Sequence, residues 1–283
     1  MSTSIWVGLD VHKDSVTAAV LEGEGEVPEI ARISADLNKI RRFFERLASR
    51  GSVRACYEAS GAGFVIHRVL KRSGFHCEVI APSLIPSRPG DRRKTDRRDA
   101  ANLARLYRSG LLTPVQVPDE DQEAVRDLVR TRFARTKQLK STKLRIHGLL
   151  LRQGRVYRES SYWTKKHRQW LARIRRELQG ALGVILNSEL QLLEYLETQI
   201  HALDAEIEVL SQRPPYRETV EALTCLRGVR TLTAMTLATE IGDIRRFRSP
   251  QALMAWTGLV PSERSSGDRH NRRPITKTGN VYL

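Results

Sequence analysis

Between residues 4 and 21 the chain carries two β-rich apolar runs, SIWVGLDV and SVTAAVL, split only by the polar triplet His12-Lys13-Asp14. So short a polar break between such runs predicts two strands joined by a turn. A third strand is expected over 28–33 (PEIARI), and then the period changes. Ile40, Phe43, Phe44 and Leu47 recur at helical spacing and predict a helix over about 37–49. Strand 53–57 (VRACY), a helix near 62–73 and strand 76–81 (HCEVIA) follow. Three strands succeeded by alternating helix and strand point to an α/β domain on a mixed sheet. After a Pro/Ser/Gly/Arg segment at 82–93, Thr95 stands where it can cap a helix over 96–110.

The remainder reads as helical. Residues 119–153 form one long predicted helix, opened by Asp119, Glu120 and Asp121, which suit the positive end of the helix dipole. Within 186–210, Leu193, Leu196, Ile200, Leu203, Ile207 and Leu210 alternate steps of three and four, a coiled-coil seam. That stretch is acidic and is expected to contact protein; Arg213-Pro214-Pro215 ends it. Residues 223–244 form two apolar stretches around Leu226-Arg227-Gly228-Val229. They fit either an ordinary helical hairpin or a helix-hairpin-helix whose turn offers N–H groups to phosphate. The expected division is 1–115, 116–215 and 216–283.

Charge narrows the function. The 283 residues hold 48 Lys and Arg against 32 Asp and Glu, a formal charge of +16, with 40% hydrophobic residues for a core. From Arg126 to Arg176 only Asp127 and Glu159 interrupt 17 basic residues, whereas 181–220 is acidic. An excess so concentrated reads as a nucleic-acid surface. Its candidates are Arg92, Arg93 and Lys94 in the basic loop, with Arg132, Arg135, Lys137, Lys140, Lys143 and Arg145 on the long helix. No run reaches the ~18 apolar residues of a membrane span, and MSTSIWVGLD does not read as a secretory leader. Cys56, Cys77 and Cys225 are scattered and fit neither a disulfide framework nor a zinc site. A cytoplasmic protein without a membrane partner is the expectation.

Four carboxylates stand out. Asp10 lies within the first apolar strand, where an unpaired charge is costly. Glu58 follows an apolar strand, and Asp96 and Asp99 are three apart at a helix start, on one face. Each has an ordinary alternative: a strand-end cap, or pairing with Arg92, Arg93, Arg97 or Arg98. Together they suit a hard divalent cation, Mg²⁺ or Mn²⁺. The set, with Asp10 in the first of three opening strands, has the look of an RNase H-like nuclease core. Downstream, GLVPSERSSGDRHNRRPITKTGN combines Ser, Gly, Arg and Lys with little apolar content, as in a loop closing over a nucleic-acid backbone. Arg264, Arg269, Arg272, Arg273 and Lys277 are its candidate contacts.

GLDVHK around Asp10, YEASG around Glu58, KTDRRDA with Asp96 and Asp99, LRGV…LATEIGDIRRF and GLVPSERSSG…ITKTGN lie in this order across almost the entire chain. The sequence thereby resembles the DEDD-motif transposases of bacterial and archaeal insertion sequences, also called bridge-RNA-guided recombinases. The resemblance implies a RuvC-like α/β domain with a mixed sheet, a long helical and coiled-coil region, and a small, mainly α C-terminal domain. It implies that Asp10, Glu58, Asp96 and Asp99 form a metal-binding tetrad. It places the catalytic serine, which attacks DNA phosphate, at Ser266, with Ser265 the neighbouring alternative. Arg264, Arg269 or Lys277 would assist it. Implied partners are donor and target DNA, a structured non-coding guide RNA, and further copies of the chain in dimers and tetramers joined through the helical region. The family normally continues through further helices after the position of Leu283. Two other readings remain: a RuvC-like junction nuclease that uses water, and a nucleic-acid-binding protein without catalysis.

Overall fold

The computed structural model of the chain describes residues 3–86, 95–263, 272–276 and 279–283. It divides into two compact units, Met1–Val117 and Pro118–Leu283.

The first unit is a five-stranded sheet with helices on both faces. Its strands are β1 (Ser4–Val11), β2 (Ser15–Glu22), β3 (Glu29–Ser34), β4 (Ser52–Glu58) and β5 (His76–Ile80), in spatial order β3-β2-β1-β4-β5. The β1–β2 and β2–β3 pairs are antiparallel, and β1–β4 and β4–β5 are parallel. This is the mixed sheet expected, consistent with an RNase H-like α/β domain. Alternation along β1 assigns its two faces. Ile5, Val7 and Leu9 join a core with Ile40, Phe43, Phe44 and Leu47 of α1 (Leu37–Ala48) and Ile66 and Leu70 of α2 (Val65–Arg72). The opposite face takes α3 (Asp96–Arg108) through Ala100, Ala101, Ala104, Leu103 and Tyr107, with Trp6 packed alongside. Thr95 caps α3 as predicted, accepting a hydrogen bond from the Arg98 N–H at 3.4 Å.

Gly8 sets how close α3 lies to the sheet. A Cβ there would overlap the Ala100 carbonyl oxygen and the Ala104 backbone nitrogen. A glycine on the strand facing alanines on the helix therefore lets the two backbones meet.

The second unit is built on α4 (Glu120–Arg152), α5 (Lys165–Glu177) and α6 (Gly180–Ser211). The predicted long helix is α4, and Asp119 caps it by accepting from the Gln122 N–H at 2.6 Å. The leucine seam of 186–210 faces inward. Leu186, Leu190 and Leu193 pack with Ile146, Leu149 and Leu150 of α4 and Leu171 and Ile174 of α5, while Ile207 packs with Val129. The heptad pattern is thus filled within the chain by an antiparallel α4–α6 pairing: Arg132 bonds Asp204 and Arg145 bonds Glu189. Helix α5 is not foreseen from periodicity, since its basic composition hides the stripe of His167, Leu171 and Ile174. Two helices, α7 (Arg217–Thr224) and α8 (Thr231–Ile241), flank Gly228, whose φ of +89° suits a residue without a Cβ. After α9 (Pro250–Trp256), β6 (Pro261–Glu263) and β7 (Arg272–Ile275) pair antiparallel. Among the described residues no helix is long and apolar enough to cross a membrane.

Candidate active site

Strand parity and helix position combine to build the site. Asp10 shares the even-numbered face of β1 with Trp6 and Gly8, the face that α3 covers. It lies next to the strand's C-terminal end rather than mid-strand, so its side chain keeps 23% exposure and escapes the full cost of burial. Because β4 runs parallel to β1 with Leu9 opposite Tyr57, the next residue along each strand is Asp10 and Glu58. Cys56, two residues before Glu58, packs on the α3 side, so alternation assigns Glu58 to that face as well. The N-terminal turn of α3 contributes Asp96 and Asp99.

The tightest group brings in a residue that the sequence pattern assigns only to a turn. His12 Nε2 lies 3.1 Å from Asp10 Oδ2 and 3.5 Å from Asp96 Oδ1. Asp10, His12 and Asp96 each offer one ligand atom, all within 4.8 Å of one another. The signal for His12 is D-x-H: two residues beyond Asp10, it returns to the same side of the chain. His12 and Asp96 remain about half exposed, at 53% and 54%. Glu58 is exposed at the end of the adjacent strand, and Asp99 is half-buried one turn further along α3. Neither belongs to the tight group.

Two carboxylates and an imidazole this close suit a divalent cation: the carboxylate oxygens fit Mg²⁺ or Mn²⁺, and the ring nitrogen favours Mn²⁺ of the two. The N-terminus of α3 adds its positive dipole end beside Asp96, which stabilises anionic groups there.

The candidate nucleic-acid residues divide by environment. Arg132 forms two bonds to Asp204, at 2.7 and 3.1 Å, and Arg145 two to Glu189, at 2.8 and 3.0 Å. Lys143 lies 3.7 Å from Glu197 and over the Trp163 ring. These three pair with Asp204, Glu189 and Glu197 of α6, so part of the acidity of 181–220 answers the cations of α4. Arg135 is half-buried and donates to Gln138 at 2.8 Å. Lys137 and Lys140 are exposed, with no ion pair among the described residues. Arg92, Arg93, Lys94, Arg264, Ser265, Ser266, Arg269 and Lys277 lie outside the described residues, and Arg272 and Arg273 fall in β7.

The segments framing 264–278 are anchored within their own unit. Glu240 of α8 is buried, and Arg130 and the Asn280 side-chain amide both donate to it. A Cβ at Gly279 would overlap the Thr257 carbonyl, so the chain passes close by the end of α9. The sequence does not single out Glu240, since nothing in LATEIGD distinguishes it from an exposed glutamate.

A family model described as a transposase, of the DEDD IS110 type, matches residues 7–153. A second, described as transposase of the IS116/IS110/IS902 family, matches residues 220–283. The chain is similar to y4qE of Sinorhizobium fredii (strain NBRC 101917 / NGR234), named as a transposase, with 40% identity over 97% of this chain and 68% of the relative. It is similar to the transposase for insertion sequence element IS1533 of Leptospira borgpetersenii, with 33% identity over 91% of this chain and 76% of the relative. The transposase for insertion sequence element IS1111A of Coxiella burnetii matches at 26% identity, over 98% of this chain and 74% of its own length.

Proposed function

Because the chain belongs to the IS116/IS110/IS902 family of transposases, we propose that it moves an insertion sequence through a serine–DNA phosphodiester, guided by an element-encoded structured RNA. As a transposase it is an enzyme of DNA strand cleavage and transfer. The observation that carries the reading is the convergence of Asp10, His12 and Asp96 where α3 begins over the sheet.

In this reading residues 1–115 are the catalytic domain, 116–215 the helical region and 216–283 the domain of the serine. Ser266 Oγ attacks a DNA phosphorus, the bond to the 3′ oxygen breaks, and that oxygen leaves as a 3′ hydroxyl after taking up a proton. Reversal by another strand's 3′ hydroxyl breaks the P–Oγ bond and returns the proton to the serine, so bond energy is conserved and no ATP is consumed. A serine hydroxyl needs activation, and charge develops on the phosphoryl oxygens. A Mg²⁺ or Mn²⁺ ion held by Asp10, Asp96, Glu58 and Asp99, with His12 beside them, would supply stabilisation of that charge. Arg264, Arg269 and Lys277 would add fixed positive charge near the phosphate.

Donor and target DNA and the guide RNA are gripped by exposed cations such as Lys137 and Lys140, which recognise phosphate rather than sequence. Assembly into dimers and tetramers through the helical region uses the outer side of α6, where Ile185, Leu192, Tyr195 and Val209 are exposed.

The test is a cleavage assay with donor DNA, target DNA and guide RNA, resolved under denaturing conditions. Wild type should yield a protein–DNA adduct that Ser266→Ala abolishes. Unchanged cleavage by Ser266→Ala would instead establish a water-using junction nuclease. Binding without cleavage by wild type in either Mg²⁺ or Mn²⁺ would establish a catalytically silent binding protein.

A further inference from the structure

Away from the carboxylates, the second unit contains a cavity of about 200 Å³ between the end of α4 and the start of α5. Its walls are rings: Tyr157, Tyr162, Trp170, His147 and His167, over a floor that includes Ile146 and Leu150. The rings support one another. His147 and Tyr162 lie 4.1 Å apart between centroids, Tyr157 is 4.8 Å from His167 and 5.4 Å from Trp170, and His167 stacks on Trp170 at 5.6 Å. With aromatic residues only 6% of the chain, this cluster is a local concentration that packing of a helical hairpin does not require.

His167 marks the cavity as built to receive something. His167 is only 2% exposed and lines the cavity. Its Nδ1 accepts the Trp163 N–H at 3.0 Å, so in the neutral ring Nε2 carries the hydrogen. That donor has no partner among the described residues. Trp163 itself sits at φ +67°, a left-handed conformation that a bulky residue rarely adopts and that surrounding structure must enforce. The Trp163–His167 bond and Lys143 over the indole, 5.1 Å from its centroid, hold it there.

The surroundings name the class of ligand. Arg155 lines the cavity and pairs with Glu177 at 3.0 Å, while Arg152, Arg158, Lys165 and Lys166 flank the lining residues in sequence, are exposed, and have no ion pair among the described residues. Flat walls, the unpartnered donor of a buried histidine and neighbouring cations together match a base with its phosphates, since single-stranded nucleic acid is held by stacking inside a positively charged groove. An apolar protein side chain would use neither the donor nor the cations.

We propose that this cavity receives one unstacked base of a bound nucleic-acid strand, stacked among Tyr157, Tyr162 and Trp170 and hydrogen-bonded by His167. Leu151 and Val156, both exposed, stand at its edge, and Tyr162, 39% exposed, forms the wall that an entering base meets. The proposal rests on the nucleic-acid part of the function above and not on its serine chemistry. It adds a position at which the protein reads an unpaired base within an otherwise phosphate-based grip.

The test uses the full chain with single-stranded RNA and DNA oligonucleotides carrying 5-iodouracil, irradiated and mapped by peptide mass spectrometry. Cross-links should fall on Tyr157, Tyr162 or Trp170, and whichever of the RNA or DNA arm gives them identifies the strand. Val156→Trp, which fills the cavity, and Tyr162→Ala, at an exposed wall, should each lower affinity by about tenfold and remove those cross-links. Lys137→Ala should weaken binding while leaving the cross-link positions unchanged. Oligonucleotides that bind but cross-link only elsewhere would overturn the proposal, as would retained affinity and cross-linking in both cavity variants. Absence of any binding would overturn the nucleic-acid grip together with it.

Discussion

Arg130 donates two hydrogen bonds, at 2.6 and 2.7 Å, to the carboxylate of Glu240, whose side chain is 1% exposed. Residues 110 apart in sequence thus tie α4 to α8, and Asn280 joins them with a third bond at 2.6 Å. The same guanidinium lies over the Tyr282 ring, 5.0 Å from its centroid, and its bonds to Glu240 raise its pKa further. Removing one member of such a pair strands the other charge in a desolvated place, which costs more than the intact pair contributes. Arg130→Ala should therefore destabilise the chain by about 3 kcal/mol, seen as a fall in Tm, with Glu240→Gln milder because its amide still meets Asn280. A variant Arg130→Ala melting like wild type would show that the clamp adds nothing.

Gly8 makes a second case, at the contact that sets the candidate active site. Gly8→Ala places a methyl group into the backbone of α3 and should cost about 1–3 kcal/mol. Since α3 carries Asp96, the variant should also lose part of any stabilisation by Mn²⁺. Gly61→Ala serves as control, because a Cβ there meets nothing within 4 Å. Equal melting of the two variants would rule out close packing at Gly8.

Metal addition tests the carboxylate group directly. Mn²⁺ at a hundred times its Kd should stabilise wild type by about 2.7 kcal/mol through binding to the folded state alone. Asp10→Asn and Asp96→Asn should abolish that shift, because each removes a carboxylate that would hold the ion. His12→Ala should weaken the response to Mn²⁺ more than to Mg²⁺, as imidazole is the softer donor. Equal effects on both ions would make His12 a positioning residue for Asp10.

The helical unit should also respond to pH through His167. Burial is the main cause that lowers its pKa from 6.5, followed by His147 and Arg168. A histidine depressed in the folded state binds its proton more readily when unfolded. Its contribution is therefore complete above pH 6.5 and is lost progressively as pH falls below 6.5. His167→Asn, which keeps an acceptor for the Trp163 N–H, should flatten the decline in stability on that acid side. Parallel curves for variant and wild type would remove His167 from the acid response.

Much of the site is legible in the amino-acid order. The parity of SIWVGLDV places Asp10 opposite the Ile5–Val7–Leu9 core, and Thr95 announces the helix that carries Asp96 and Asp99. His12 is harder: its i+2 relation to Asp10 is visible, but only the approach of α3 gives it a second carboxylate to face. The seam of α6 is legible as a heptad, yet its partner is not, because an apolar stripe can bury against another subunit or within its own chain, and only the fold sets Leu193 against α4.

Period, capping and composition are local, so the amino-acid order alone determined which segments are strands and helices, which faces are apolar, where the carboxylates fall and where the positive charge collects. Which groups meet depends on chain closure over long separations. That Arg132 finds Asp204 at a separation of 72, that Arg130 finds Glu240, and that Tyr157, Tyr162 and Trp170 enclose a cavity were decided only by the tertiary fold. A helix face specifies what kind of surface it must bury against, but several partners satisfy that requirement, and it takes the packing of α4, α5 and α6 to select one.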